Sequence, residues 1–204
     1  MKTLILTVLA VSFLVIPLRA QTTSSLLQAY GGLNRSIAPE EAADYYPTGF
    51  MVGFSGIRVL ASEYGLEADV SFTMTPLDAG RLLDDLGLGG LNVQVKGGGM
   101  SILSASVGLR YQFSIESPNI PYVHAQGGIR RVSFSEGTVT GGGITTPFET
   151  DSETKPGLLV GVGSQFPVAD GLNLFAEINY DVIFTDDDPT QFIPVKFGIV
   201  FALD

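Results

Sequence analysis

From Ser24 to the C-terminus the chain alternates between apolar and polar residues, the period-two spacing that sends successive side chains of a strand to opposite faces. The clearest stretch is Leu172 to Thr185. There Leu172, Leu174, Ala176, Ile178, Tyr180, Val182 and Phe184 share one face, and Asn173, Phe175, Glu177, Asn179, Asp181, Ile183 and Thr185 share the other. Ser101 to Glu116 repeats the pattern, with Leu103, Ala105, Val107, Leu109, Tyr111, Phe113 and Ile115 opposite Ser104, Ser106, Gly108, Arg110, Gln112 and Ser114. Eight such segments occur, at about 24–35, 48–61, 63–75, 101–116, 121–135, 156–168, 172–185 and 191–204.

The connections between them alternate in length, and that alternation carries a topology. Segments two and three join around Ser62, four and five through Ser117-Pro118-Asn119-Ile120, and six and seven through Ala169-Asp170-Gly171, all of turn composition. The others, 36–47, 76–100, 136–155 and the acidic 186–190, are longer. Short turns at one end and long loops at the other are what a membrane barrel shows, with the short ones on the periplasmic side. The expected fold is therefore all-β, an eight-stranded antiparallel up-and-down transmembrane β-barrel. Segments of this length exceed the roughly 9–11 residues that a tilted strand needs to cross a bilayer, so the barrel is expected to project beyond it. Aromatics support the threading, since such barrels carry aromatic girdles at both interfaces. Tyr45, Tyr46, Phe50, Phe72, Phe134, Phe184 and Phe192 fall near the loop end, and Tyr64, Tyr111, Phe113, Tyr122, Phe166 and Phe201 near the turn end.

Composition agrees. Only 16% of the 204 residues are charged while 45% are hydrophobic, and a mean hydropathy of +0.32 is high for a soluble acidic protein. Eleven Lys and Arg against 21 Asp and Glu give a net charge of -10, which argues against the basic face that nucleic acid requires. With no Cys, thiolate metal sites, disulfides and cysteine nucleophiles are excluded. Residues 1–20 read as a cleaved signal peptide, with Lys2 followed by the apolar run Leu4 to Ile16 and small Ala20 before the cut. That run is short of the roughly 20 residues of a helical span. The mature domain is then 21–204, and loss of Lys2 and Arg19 takes its charge to -12.

Three segments, Ser101 to Phe113, Pro121-Tyr122-Val123-His124-Ala125-Gln126-Gly127-Gly128 and Phe192-Ile193-Pro194-Val195-Lys196-Phe197-Gly198-Ile199, resemble the outer-membrane β-barrel domain family. These are the small eight-stranded barrels typified by the membrane domain of outer-membrane protein A, and the resemblance covers roughly 24–204. It implies the outer membrane of a Gram-negative cell, with the lipid bilayer, lipopolysaccharide and the barrel-assembly machinery as partners. It assigns no reaction and no cofactor. Such barrels usually finish on an aromatic residue, whereas Phe201 is followed here by Ala202-Leu203-Asp204.

In lipid the outward face must be apolar, so the polar face points into the lumen. It carries Glu67, Asp69, Arg110, His124, Arg130, Glu177, Asp181 and Lys196. A hairpin centred near residue 188 sets Asp181 opposite Lys196. Charge of this kind serves either as a gate or as a structural filling, since an eight-stranded barrel is just wide enough for side chains to fill; the filling is favoured and a narrow channel is the alternative. His124 is the only histidine, so a lipid-modifying enzyme on this architecture has to use it, with Ser114 as a neighbour, yet it sits in the turn half, far from outer-leaflet lipid. The expectation is a non-enzymatic protein with a structural or surface-interaction role.

The loops hold most of the acid, at Glu40, Glu41, Asp44, Asp78, Asp84, Asp85, Glu136, Glu149, Asp151, Glu153 and Asp186-Asp187-Asp188. They lack EF-hand spacing and are expected to solvate the surface, with an extracellular ligand as a further role. Leu82, Leu83 and Leu86 suggest a short helix at the lipid headgroups or over the barrel mouth. The runs Gly97-Gly98-Gly99 and Gly141-Gly142-Gly143 lack a strand-to-helix setting and read as flexible loop. A rival from another class is a soluble calycin-like barrel with an apolar ligand inside, which requires the apolar face to turn inward.

Overall fold

The computed structural model describes residues 25–113, 118–142, 144–148, 151–186 and 188–203. The expected leader and its cleavage site lie outside the described residues, as do Ser114, Ser117, Gly143, Glu149, Asp187 and Asp204. Eleven strands are described, namely β1 (Ser25–Ala38), β2 (Thr48–Val59), β3 (Tyr64–Thr75), β4 (Val93–Gly97), β5 (Met100–Gln112), β6 (Ile120–Phe134), β7 (Gly137–Gly141), β8 (Ile144–Phe148), β9 (Ser152–Ala169), β10 (Leu172–Ile183) and β11 (Thr190–Leu203). Eight of them close a barrel in the order β1-β11-β10-β9-β6-β5-β3-β2. Every neighbouring pair is antiparallel, and closure through β1 and β11, from Ser25 opposite Leu203 to Ala38 opposite Gln191, leaves the main sheet no free edge. In a bilayer that closure is obligatory, because lipid offers no partner for an unpaired backbone N–H or C=O.

The two faces are sorted as alternation predicts. Along β2 burial switches at every residue from Thr48 to Ile57, with Phe50, Val52 and Phe54 outward at 71%, 59% and 64% exposure. Leu103, Val107 and Leu109 on β5 and Leu174 and Ile178 on β10 point outward in the same way. The buried set inside is rich in Gln, Ser, Thr and charged residues. This is the reverse of a soluble calycin-like barrel, and that reading is corrected on this ground: water outside would leave most of the apolar surface wet.

Four local expectations also change. Tyr122 and Phe192 do not join the girdles but point into the barrel, fully buried, because each falls on the inward phase of its strand. The loops 76–100 and 136–155 are not featureless, since β4, β7 and β8 form a small separate sheet in the order β4-β7-β8. Gly97 and Gly142, with φ of 81° and 58°, end β4 and turn the chain between β7 and β8, so these glycines punctuate a sheet. The helix foreseen in 77–91 is Ala79–Asp85, capped by the Asp78 side chain accepting from the Arg81 N–H at 3.0 Å. It buries no residue and leaves Leu86 exposed, so it does not plug the mouth. A second short helix, Glu40–Tyr45, precedes β2 and is tied to the first by an Arg81–Asp44 ion pair of 3.0 Å.

The outward face carries a test. Val107 stands at the middle of β5, opposite Ala68 on β3 and Gly127 on β6, and is 44% exposed. Val107→Arg is expected to cost about 2–4 kcal/mol in reversible unfolding from lipid vesicles, the penalty for a cation near the bilayer midplane. A change within about 0.5 kcal/mol, as for an ordinary water-exposed site, would show that this face does not meet lipid.

Candidate functional site

All eight charged residues expected in the lumen are buried there. Six gather into one network. Lys196 on β11 places Nζ 3.3 Å from Glu177 Oε1 and 3.8 Å from Asp69 Oδ2. Glu177 also accepts from the Tyr122 hydroxyl at 2.9 Å and the Asn179 amide at 2.8 Å, and Asp69 accepts from the Tyr30 hydroxyl at 2.6 Å. His124 lies between two carboxylates, with Nδ1 3.7 Å from Glu67 and Nε2 3.4 Å from Glu177. Arg110 stacks on Tyr122, its guanidinium carbon 3.4 Å from the ring centroid, and stands 4.0 Å from Glu67. Lys196 sits 4.7 Å above the Tyr30 ring. Burying these charges without partners would cost several kcal/mol each; Arg110 and Glu67 Oε2 make no hydrogen bond among the described residues, and Arg110 is held by the Tyr122 ring and the 4.0 Å approach to Glu67.

Arg130 and Asp181 form a second, separate pair, a two-pronged contact of Nη2 and Nε with the carboxylate at 3.0 and 3.2 Å. The expected Asp181–Lys196 pairing is therefore corrected. Strand β10 ends at Ile183 and β11 starts at Thr190, so the hairpin is centred lower than residue 188. The register then sets Glu177 opposite Lys196 and Asp181 opposite Phe192.

Strand β9 explains how residues of β6 reach β10 at all. Its inward positions include Gly157, Gly161 and Gly163, and the long side chains of β6 lie across them. His124 passes over Gly161 to hydrogen-bond Asn179 Oδ1 at 2.8 Å. Tyr122 passes over Gly163 to Glu177, and Arg130 passes over Gly157 to Asp181. A Cβ at Gly161 would collide with both His124 Nε2 and Asn179 Oδ1. This glycine track escapes the sequence reading, as do Tyr30, Gln126 and Asn179 as network members. The signal lies in the i, i+4, i+6 spacing of Gly157, Gly161 and Gly163, which keeps the inward phase of one strand.

The ring nitrogens of His124 are both engaged, Nε2 by Asn179 Oδ1 and Nδ1 by the Gln126 amide at 3.0 Å. Among the described residues no serine hydroxyl bonds it, and Ser114 lies outside them. A small void of about 10 Å³ lies in the loop half of the lumen, beside Asp69, Arg130, Asp181 and Lys196, room for about one water molecule. Above it Met100, Ile102, Ile183 and Phe192 pack into a buried apolar layer.

The comparisons agree with the barrel fold. The family model described as outer membrane protein beta-barrel domain matches residues 6–201. Neisserial surface protein A superposes with a TM-score of 0.52 at 18% identity, over 89% of this chain and 97% of its own. A major outer membrane protein from Thermus thermophilus does so with 0.53 at 15% identity, over 88% and 99%. No curated protein matches the sequence.

The lumen packing can be tested at two places. Gly161→Val is expected to prevent the His124–Asn179 contact and to abolish heat-modifiable migration of the refolded barrel; a variant that still migrates as folded would show the track to be dispensable. For the isolated pair, Arg130→Met alone is expected to cost about 3–5 kcal/mol, because it strands a buried carboxylate. Arg130→Met with Asp181→Leu is expected to recover most of that loss in a double-mutant cycle of vesicle unfolding. Additive losses would mean that the two side chains are not coupled.

Proposed function

The chain belongs to the outer membrane protein beta-barrel domain family, and on that premise we propose that this integral outer-membrane barrel is non-enzymatic and has a filled lumen. Its work is then to hold structure in the membrane and to present its loops outside. The observation that carries this reading is the packing of the lumen, where paired charges and stacked aromatics surround a void of about 10 Å³. A steady ion current needs a connected water path, and a one-water void under an apolar layer supports the opposite. The engagement of both His124 nitrogens by amides supports a structural rather than hydrolytic role for it.

The short connections, Leu60 to Glu63 and Asp170-Gly171, then face the periplasm and the long ones face outward. The reading includes a cleaved leader, 1–20, with maturation at Gln21 and insertion by the barrel-assembly machinery beside lipopolysaccharide. The acidic loops and the β4-β7-β8 sheet become the surface offered to an extracellular partner. The decisive measurement is conductance of the refolded mature chain in planar bilayers. No stable openings are expected across a wide voltage range. Reproducible ohmic steps would overturn the filled lumen in favour of a narrow channel.

A further inference from the structure

Above the buried apolar layer, the loop end of the barrel holds a second and much larger space. Its volume is about 360 Å³, within the roughly 300–1,000 Å³ of ligand pockets. The floor is Met100, Ile183 and Phe192, all buried. Tyr46, Val132 and Phe134 form the walls, with the Tyr46 and Phe134 rings 5.8 Å apart and tilted by 54°. Tyr46 is held in place by its own hydroxyl, which donates to the Gly98 carbonyl at 3.0 Å. The cavity is thus an aromatic and aliphatic cup anchored to two loops and the top of β5.

Its rim carries both signs, with acid in excess. Asp151 and Glu153 line it together with Lys155, but the Lys155 ammonium is already taken by Glu153 at 2.5 Å and Asp186 at 2.6 Å. Asp151 and Glu153, with Asp186 beside them, stand against the Lys155 ammonium and the Arg131 guanidinium, which donates to Ser152 Oγ at 3.4 Å, so the mouth keeps a net negative charge. An apolar cup with aromatic walls under an anionic rim is complementary to a molecule with an apolar body and a cationic group, because ring faces and carboxylates both attract an alkylated ammonium. We propose that this cavity binds a small amphiphile carrying an alkylated ammonium group, which enters from the loop end with its apolar part on Ile183 and Phe192 and its charge toward Asp151 and Glu153. The site lies above the filled lumen, so it is independent of whether the barrel conducts.

The test uses the refolded mature chain in phosphatidylglycerol nanodiscs, which contain no choline lipid to compete, with empty discs as the blank. Benzyltrimethylammonium, benzyl alcohol and benzylsulfonate are titrated in turn while methyl resonances of Met100 and Ile183 are followed. Saturable shifts are expected with the ammonium, binding at least about tenfold tighter than the sulfonate. Asp151→Asn retains an oxygen to accept from the Ser152 N–H, as Asp151 does at 2.7 Å, and is expected to weaken the ammonium several-fold while leaving benzyl alcohol unchanged. The loss should shrink as salt is raised. Val132→Trp, checked for folding by heat-modifiable migration, is expected to fill the cup and abolish all three titrations. Absence of saturable shifts at Met100 and Ile183 would overturn the proposal, as would equal binding of ammonium and sulfonate, or an Asp151→Asn barrel that keeps full ammonium preference.

Discussion

The outward face of this barrel has to be apolar, and almost everything else follows from that constraint. Eight strands of alternating sequence cannot lose their polar residues, so those residues go inside. An eight-stranded closure has little interior to spare. Glu67, Asp69, Arg110, His124, Glu177 and Lys196 are consequently forced within a few ångströms of one another, and once buried their charges must offset one another. The network holds the barrel in one register because its partners come from different strands. Lys196 on β11 reaches β10 through Glu177 and β3 through Asp69, and the second of these contacts ties strands that are not sheet neighbours.

Crowding imposes a second requirement, that some inward positions be empty. Strand β9 meets it with Gly157, Gly161 and Gly163. The weak strand propensity of glycine is offset here by what lies above it, namely a tyrosine, a histidine and an arginine of β6 crossing to carboxylates and an amide of β10. The same device operates where backbones approach closely, as at Gly108 and Gly198, where a Cβ would strike the carbonyls of Ala125 and Ala29 on the neighbouring strands. Glycine in this chain is therefore largely the complement of large lumen side chains and close strand contacts rather than a mark of flexibility.

The strands are legible in the sequence because lipid removes alternatives. A face reading Leu172, Leu174, Ala176, Ile178 has only one place to go in a membrane, and each of the eight charged residues duly lies inside. Pair identity is not legible. Alternation fixes which face a residue takes but is blind to a register shift of two or four, and the turn between β10 and β11 is set by loop geometry that composition does not specify. Hence alternation matches Asp181 with Lys196, although Asp181 meets Arg130, two strands away and across a glycine. Tyr122 and Phe192 are misplaced for a related reason. Counting aromatics near strand ends ignores phase, and both fall on the inward phase. The β4-β7-β8 sheet stays hidden because its five-residue strands, VQVKG, GTVTG and ITTPF, carry too short an alternation to stand out.

The lumen divides into two chemically distinct storeys. Below, charges pair in the buried interior around a small void of about 10 Å³. Above, the inward phase includes an apolar cluster of Met100, Ile102, Ile183 and Phe192. An apolar layer there isolates the ion pairs from loop-side water, which strengthens each of them by keeping the local dielectric low. Three of its four side chains, seen from outside, are the floor of the cup beneath Tyr46 and Phe134. Met100, Ile183 and Phe192 thus serve both as the lid of the network and as the base of a cavity, and a substitution there acts on both storeys at once.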